Sequence, residues 1–136
     1  MATLSIHHIG IAVEDLDASA RLWTQLVGAA VEHRDLVPDQ GVEAVSLRTG
    51  SGRVELLAPL GDDTPVGRFL AKRGPGMHHV AFEVDDVAGE LERLRRGGVQ
   101  LIDETPRRGL FGLQVAFVHP DSTGGVLAEL VTDERG

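Results

Sequence analysis

The first clear alternation along the chain places Ile9, Ile11 and Val13 on every second position, with His8, Gly10 and Ala12 between them. A period of two predicts a strand. The pattern returns at Val80, Phe82 and Val84, with His79, Ala81 and Glu83 on the other face. Each strand then feeds a helical periodicity. Leu16, Ala20, Trp23 and Val27 form one stripe with Gly28 placed to end it, and Val87, Leu91 and Leu94 form another ahead of Gly97-Gly98. His8/His79, Leu16/Val87, Ala20/Leu91 and Trp23/Leu94 all keep one separation of 71 residues (79 minus 8). Strand, face and helical stripe repeat together, which marks an internal duplication.

A second pair of strands carries one carboxylate each: Arg53-Val54-Glu55-Leu56-Leu57, and Leu127-Ala128-Glu129-Leu130-Val131. Their separation is 74 (129 minus 55), three residues more, as a change of loop length would give. A carboxylate within an apolar strand is costly to bury unless it is paired or coordinates something. Between the halves, Thr64 as N-cap, Pro65 at the first turn and Gly74 at the end predict a short helix over 64–74. Arg107–Gly112 reads as a loop and Leu113–Val118 as a strand. The expected organisation is a single domain over 1–136, with a first module at about 4–60 and a second at about 76–132.

Composition narrows the function. The chain has 13 Lys+Arg against 21 Asp+Glu, a net charge of −8, which is the wrong sign for a general nucleic-acid binder. It contains no Cys, so thiolate metal sites, disulfides and thiol nucleophiles are excluded, and no Tyr. No apolar run is long enough to span a membrane and the opening has no signal-peptide pattern, so a cytoplasmic protein is expected.

Duplicated modules bring equivalent strands together, so His8, Glu55, His79 and Glu129 are expected to converge. Two imidazoles and two carboxylates suit a divalent first-row ion, whether Co²⁺, Mn²⁺, Fe²⁺, Ni²⁺ or Zn²⁺. Taken singly, a strand histidine or carboxylate is more often structural; the fourfold pattern in a repeat is what favours a metal site. His7, His33, His78 and His119 lack such partners and read as structural or exposed. Arg68–Arg73 and Arg93–Arg96 read as solvated helix faces.

The segments HHIGIAVEDLDAS, VELLAPLGDDTPVGRFLAKRGPGMHHVAFEVDDV, GVQLIDETPRRG and VAFVHPDSTGGVLAEL resemble the vicinal oxygen chelate superfamily. Within it they are similar to the methylmalonyl-CoA epimerase family. The opening motif carries only the superfamily; the ELLAPLGDDTPVGRFL, HHVAFEV and FVHPDSTGGVLAEL segments are more specific. The resemblance implies an α+β fold of two tandem βαβββ modules forming a cupped mixed sheet around a metal. It implies that His8, His79 and Glu129 are metal ligands and that Glu55 fills a fourth position, taken by Gln or Glu in the family. The ion by resemblance is Co²⁺.

The implied reaction interconverts the C2 epimers of methylmalonyl-CoA through an enolate, with Glu129 as one proton carrier. Some relatives carry a second glutamate three residues after a Gln-Gly pair. Here Gln40-Gly41 is followed by Glu43 and then Ala44, so Ala44 stands at that place and Glu43 one step earlier, on the other face of a strand. Glu43 is therefore a candidate only if a bulge redirects it. Lys72, Arg73, Arg107 and Arg108 are candidates by sign for the anionic coenzyme A tail, and a homodimer is expected. Rival readings are a glyoxalase-type isomerase acting on a thiol hemithioacetal, an Fe(II) dioxygenase, and a metal-free small-molecule binding protein of the same fold.

Overall fold

The computed structural model describes residues 3–134. The ends of the expected 1–136 domain, residues 1–2 and 135–136, lie outside the described residues. The chain forms two compact units. One is His8–His78; the other joins the opening residues up to His7 with the segment that begins at His79. The break thus falls between the two histidines of each His-His pair, rather than in the connection around the central helix that the duplication suggests.

The unit His8–His78 is built on the part of β1 (Thr3–Ala12) from His8 onward, α1 (Leu16–Val27), β2 (Ala30–Val37), β3 (Val42–Thr49), β4 (Gly52–Pro59) and α2 (Pro65–Arg73). β1 pairs in parallel with β4, while β4 with β3 and β3 with β2 are antiparallel. Asp15 caps α1, its side chain accepting from Ala18 N at 3.0 Å, and Gly28 ends the helix in the left-handed conformation. Leu16, Ala20 and Trp23 pack on Val45, Leu47, Leu56 and Ile11. Leu47 and Leu56 are fully buried, and truncating either to Ala is the kind of change that costs about 2–5 kcal/mol.

The second unit contains the rest of the sheet-forming chain: β5 (Gly76–Val84), α3 (Val87–Arg96), β6 (Arg107–Arg108), β7 (Gln114–Val118) and β8 (Ala128–Thr132). β5 and β8 are parallel, β8 and β7 antiparallel, repeating the β1–β4–β3 order. Val87, Leu91 and Leu94 of α3 pack against Val84, Ala116 and Leu130.

Three local features differ from expectation. Arg107-Arg108 forms a two-residue strand paired with Val115 and Gln114, because the chain reverses through a 3₁₀ turn at Leu110–Gly112. Phe111 in that turn has a positive φ of 60°, a costly conformation for a bulky side chain, and packs against the cluster of Ala81, Leu113, Val115 and Val131. Finally, the His8, Gly10 and Ala12 face of β1 is the more deeply buried one, while Ile9 and Ile11 on the apolar face are only half-buried.

Candidate active site

In the unit His8–His78, the β1–β4 register sets Gly10 opposite Glu55. A residue without a side chain at this point leaves room for the carboxylate, and His8, two positions earlier on the same face, closes on it. His8 Nδ1 lies 3.2 Å from Glu55 Oε2, with both side chains almost fully buried. The second unit repeats this diagonal. Ala81, again small, lies opposite Glu129, and His79 Nε2 is 3.2 Å from Glu129 Oε1. The two pairs use different imidazole nitrogens but the same strand logic: His on the first strand, a small residue two positions on, Glu across from it.

Both sites extend across the next strand. Continuous β3–β4 pairing places Ser46 beside Glu55 and Ala44 beside Leu57 on the same face. Ser46 is 1% exposed, and among the described residues its Oγ has no hydrogen-bond partner. Leaving a buried hydroxyl unsatisfied costs about 1–3 kcal/mol, so this position is not explained by packing alone. In the second unit, Phe117 is opposite Glu129. Its ring meets His79 edge-on, with centroids 5.7 Å apart. Arg107 lies over the same ring at 5.4 Å and pairs with Asp103 at 3.3 Å, while Asp103 also accepts from Phe117 N at 2.8 Å. Phe117 thus carries Arg107 over its ring and meets His79 edge to face.

The edge strand contributes a further anchoring group. A bulge between Val31 and His33 lets Glu32 reach Arg53 Nε at 3.1 Å and Arg48 Nη1 at 3.5 Å. Arg53 is opposite Arg48 across β3–β4 and is itself buried, so Glu32 neutralises two guanidinium groups that the register places side by side.

The structure brings His8 to Glu55, and it brings His79 to Glu129. Glu43 is not on the His8–Glu55 face. No bulge interrupts β3 between Val42 and Thr49, so Glu43 points to the α1 side, where its Oε2 accepts from Arg34 Nε at 2.9 Å. Of the other histidines, His7 is buried with its Nε2 2.6 Å from Asp133 Oδ2, and His119 Nδ1 accepts from Asp121 N. His78 packs edge-on against Phe69, over which Arg73 also lies at 5.7 Å. The arginines of α3 are ion-paired along the helix, Arg93 with Glu90 and Arg95 and Arg96 with Glu92.

Ser46 and Phe117 were missed from the sequence, though one signal existed for the first. Thr49 and Gly52 flank the turn at Gly50-Ser51, and counting back three residues on each side pairs Ser46 with Glu55. Asp133 carried no such signal, since its partner is 126 residues away.

The donor set, an imidazole and a carboxylate in each buried pair, is of the type that divalent first-row ions accept. Residues 7–117 match the profile of the glyoxalase/bleomycin resistance protein/dioxygenase superfamily. The chain is 37% identical to the mitochondrial methylmalonyl-CoA epimerase of Homo sapiens, over 92% of this chain and 72% of that protein. It is similar to the crystal structure of methylmalonyl-CoA epimerase from Mycobacterium tuberculosis, with a TM-score of 0.93, 37% identity and coverage of 96% and 89% of the two chains. A structure of methylmalonyl-CoA epimerase in complex with methylmalonyl-CoA and NH4+ is similar at 38% identity and a TM-score of 0.93, covering 98% of this chain and 96% of that one.

Proposed function

The chain belongs to the glyoxalase/bleomycin resistance protein/dioxygenase superfamily and, within it, to the methylmalonyl-CoA epimerase family, and from this premise we propose that His8, Glu55, His79 and Glu129 together hold one divalent ion. The activity is interconversion of the two C2 epimers of methylmalonyl-CoA. The observation that carries the site is the recurrence of a buried His–Glu contact at 3.2 Å in both halves, each across from a small residue.

A bound divalent ion would supply positive charge to the acyl oxygens, making the C2 proton acidic. The rest of the chemistry belongs to the chain's own groups. Glu129 takes the C2 proton; the C–H electron pair passes into the C2–C1 bond as the thioester carbonyl becomes an enolate oxygen. A proton delivered from solvent water to the opposite face completes inversion, and Glu129 releases the proton it took to solvent. His79 fixes the orientation of the Glu129 carboxylate, and Phe117 limits the swing of the His79 ring. Glu43 is not assigned the opposite face, since its carboxylate is turned to Arg34.

Arg107, half-exposed beside Phe117, is the best placed of the basic candidates for the coenzyme A tail, ahead of Arg108, Lys72 and Arg73. An anchoring role predicts a raised KM with kcat unchanged in Arg107→Ala. The same reading takes Co²⁺ as the ion and the working form as a cytoplasmic homodimer, which light scattering of the loaded protein tests.

The deciding experiment is deuterium wash-in at C2 of methylmalonyl-CoA in D₂O, with Co²⁺ added and after chelation. Exchange with epimerisation, lost on chelation and in His79→Ala, is expected. No exchange by protein shown to hold Co²⁺ would overturn the reading and favour a glyoxalase-type reaction. Chelation should also lower Tm, since an ion at 100 times its Kd adds about 2.7 kcal/mol to stability.

A further inference from the structure

Resting on the epimerase reading above, we propose that Ser46 is a specificity-determining residue, its hydroxyl donating a hydrogen bond to the free carboxylate of the bound acyl group. Ser46 is 1% exposed, and its Oγ has no hydrogen-bond partner among the described residues. It stands on β3 directly across from Glu55, on the sheet face that also carries His8. Its neighbours along that face are Ala44 on its own strand, Glu55 across from it on β4 and His33 across from it on β2, and its Oγ hydrogen-bonds to none of them.

The hydroxyl therefore faces the ground next to the His8–Glu55 pair as a donor. A carboxylate is the acceptor that uses it best, because a bond to an ionised oxygen is shorter and stronger than one to a neutral carbonyl. An acyl-CoA that lacks the carboxylate leaves the hydroxyl unmatched, which is how a single buried donor discriminates between substrates. Sequence makes the position inconspicuous: one serine between Val45 and Leu47 reads as a tolerated polar residue in an apolar strand.

The test compares wild type with Ser46→Ala in four measurements: KM for methylmalonyl-CoA, Kd for propionyl-CoA, Kd for Co²⁺ alone, and Tm. The proposal expects KM to rise about tenfold, the size of a lost hydrogen bond to a charged group. The Kd values for propionyl-CoA and Co²⁺ should stay within about twofold, and Tm should hold or rise because the variant removes a buried hydroxyl. Unchanged KM would make Ser46 a plain core residue and overturn the proposal. Weakened Co²⁺ binding would show that Ser46 acts through Glu55, and equal weakening of propionyl-CoA would move the contact away from the carboxylate; either result overturns it too. Wild-type protein without turnover overturns the epimerase reading itself, and Ser46 with it, so the two failures are told apart by the wild-type assay.

Discussion

Glu43 and Glu55 stand on adjacent antiparallel strands and point to opposite sides of the sheet, Glu43 to Arg34 at 2.9 Å and Glu55 to His8 at 3.2 Å. The unbroken register of β3 and β4 makes this division of labour unavoidable. Glu129→Gln is therefore expected to lower kcat by about 10²–10⁴, the usual worth of a positioned acid–base group, while Glu43→Gln should cost no more than about threefold. Single-turnover rates measure both; comparable losses would put Glu43 at the substrate.

Arg34 also donates to Asp17 Oδ1 at 2.6 Å, tying β2 to the first turn of α1. That hydrogen bond, then the guanidinium charge, holds the Asp17 carboxyl below its ordinary value of 3.8. With the folded-state value depressed, the contribution to stability is complete above the unfolded value and disappears as pH falls through the folded one. The pair is exposed, so the effect is small and shrinks with salt. An NMR titration of the Asp17 carboxyl should give a midpoint below 3.8 that rises in Arg34→Ala. An identical midpoint in the variant would show that the contact does not persist in solution.

Asp133 and His7 bury their contact almost completely. Asp133→Ala leaves the imidazole without this partner and should cost about 3 kcal/mol in urea unfolding, with the m-value unchanged. A loss below about 1 kcal/mol would mean that desolvation of the two groups offsets nearly everything they gain from each other.

Gly67 lies inside α2, where replacement by Ala ordinarily stabilises a helix by about 0.5–1 kcal/mol. Here the sign reverses. A Cβ at this position would meet Gly61 O at 2.4 Å and Asp62 O at 2.7 Å, both backbone atoms. Gly67→Ala should lower Tm by several degrees, while Gly28→Ala, at a left-handed position with open space, suffers from backbone strain alone.

The duplication made much of this readable in advance. Period-two and helical patterns located β1, α1, β5 and α3, the Thr64-Pro65 start located α2, and the matched carboxylates singled out Glu55 and Glu129, though not the histidine each one meets. β2 was not legible, because an edge strand with one bonded neighbour and mostly exposed side chains has no apolar alternation to show. The direction of Glu43 followed from strand parity, but the partner that fixes it, Arg34, depends on the β2–β3 pairing. Phe117 looked like an ordinary core aromatic until the β7–β8 register set it against Glu129 and His79.

The pairing of His7 with Asp133, 126 residues apart, also says something about the order in which the molecule is completed. A ribosome delivers His7 126 residues ahead of Asp133. Until His79 has been made, the unit to which His7 belongs has only the fragment that ends at His7. Closing so long a loop is slow relative to local structure, and its entropy must be met before the contact gives anything back. The unit His8–His78, continuous along the chain, can form while its neighbour is still being made. A nascent chain halted short of β8 would carry a continuous unit His8–His78 and a His7 that still lacks Asp133, a species more open to proteolysis than the finished molecule.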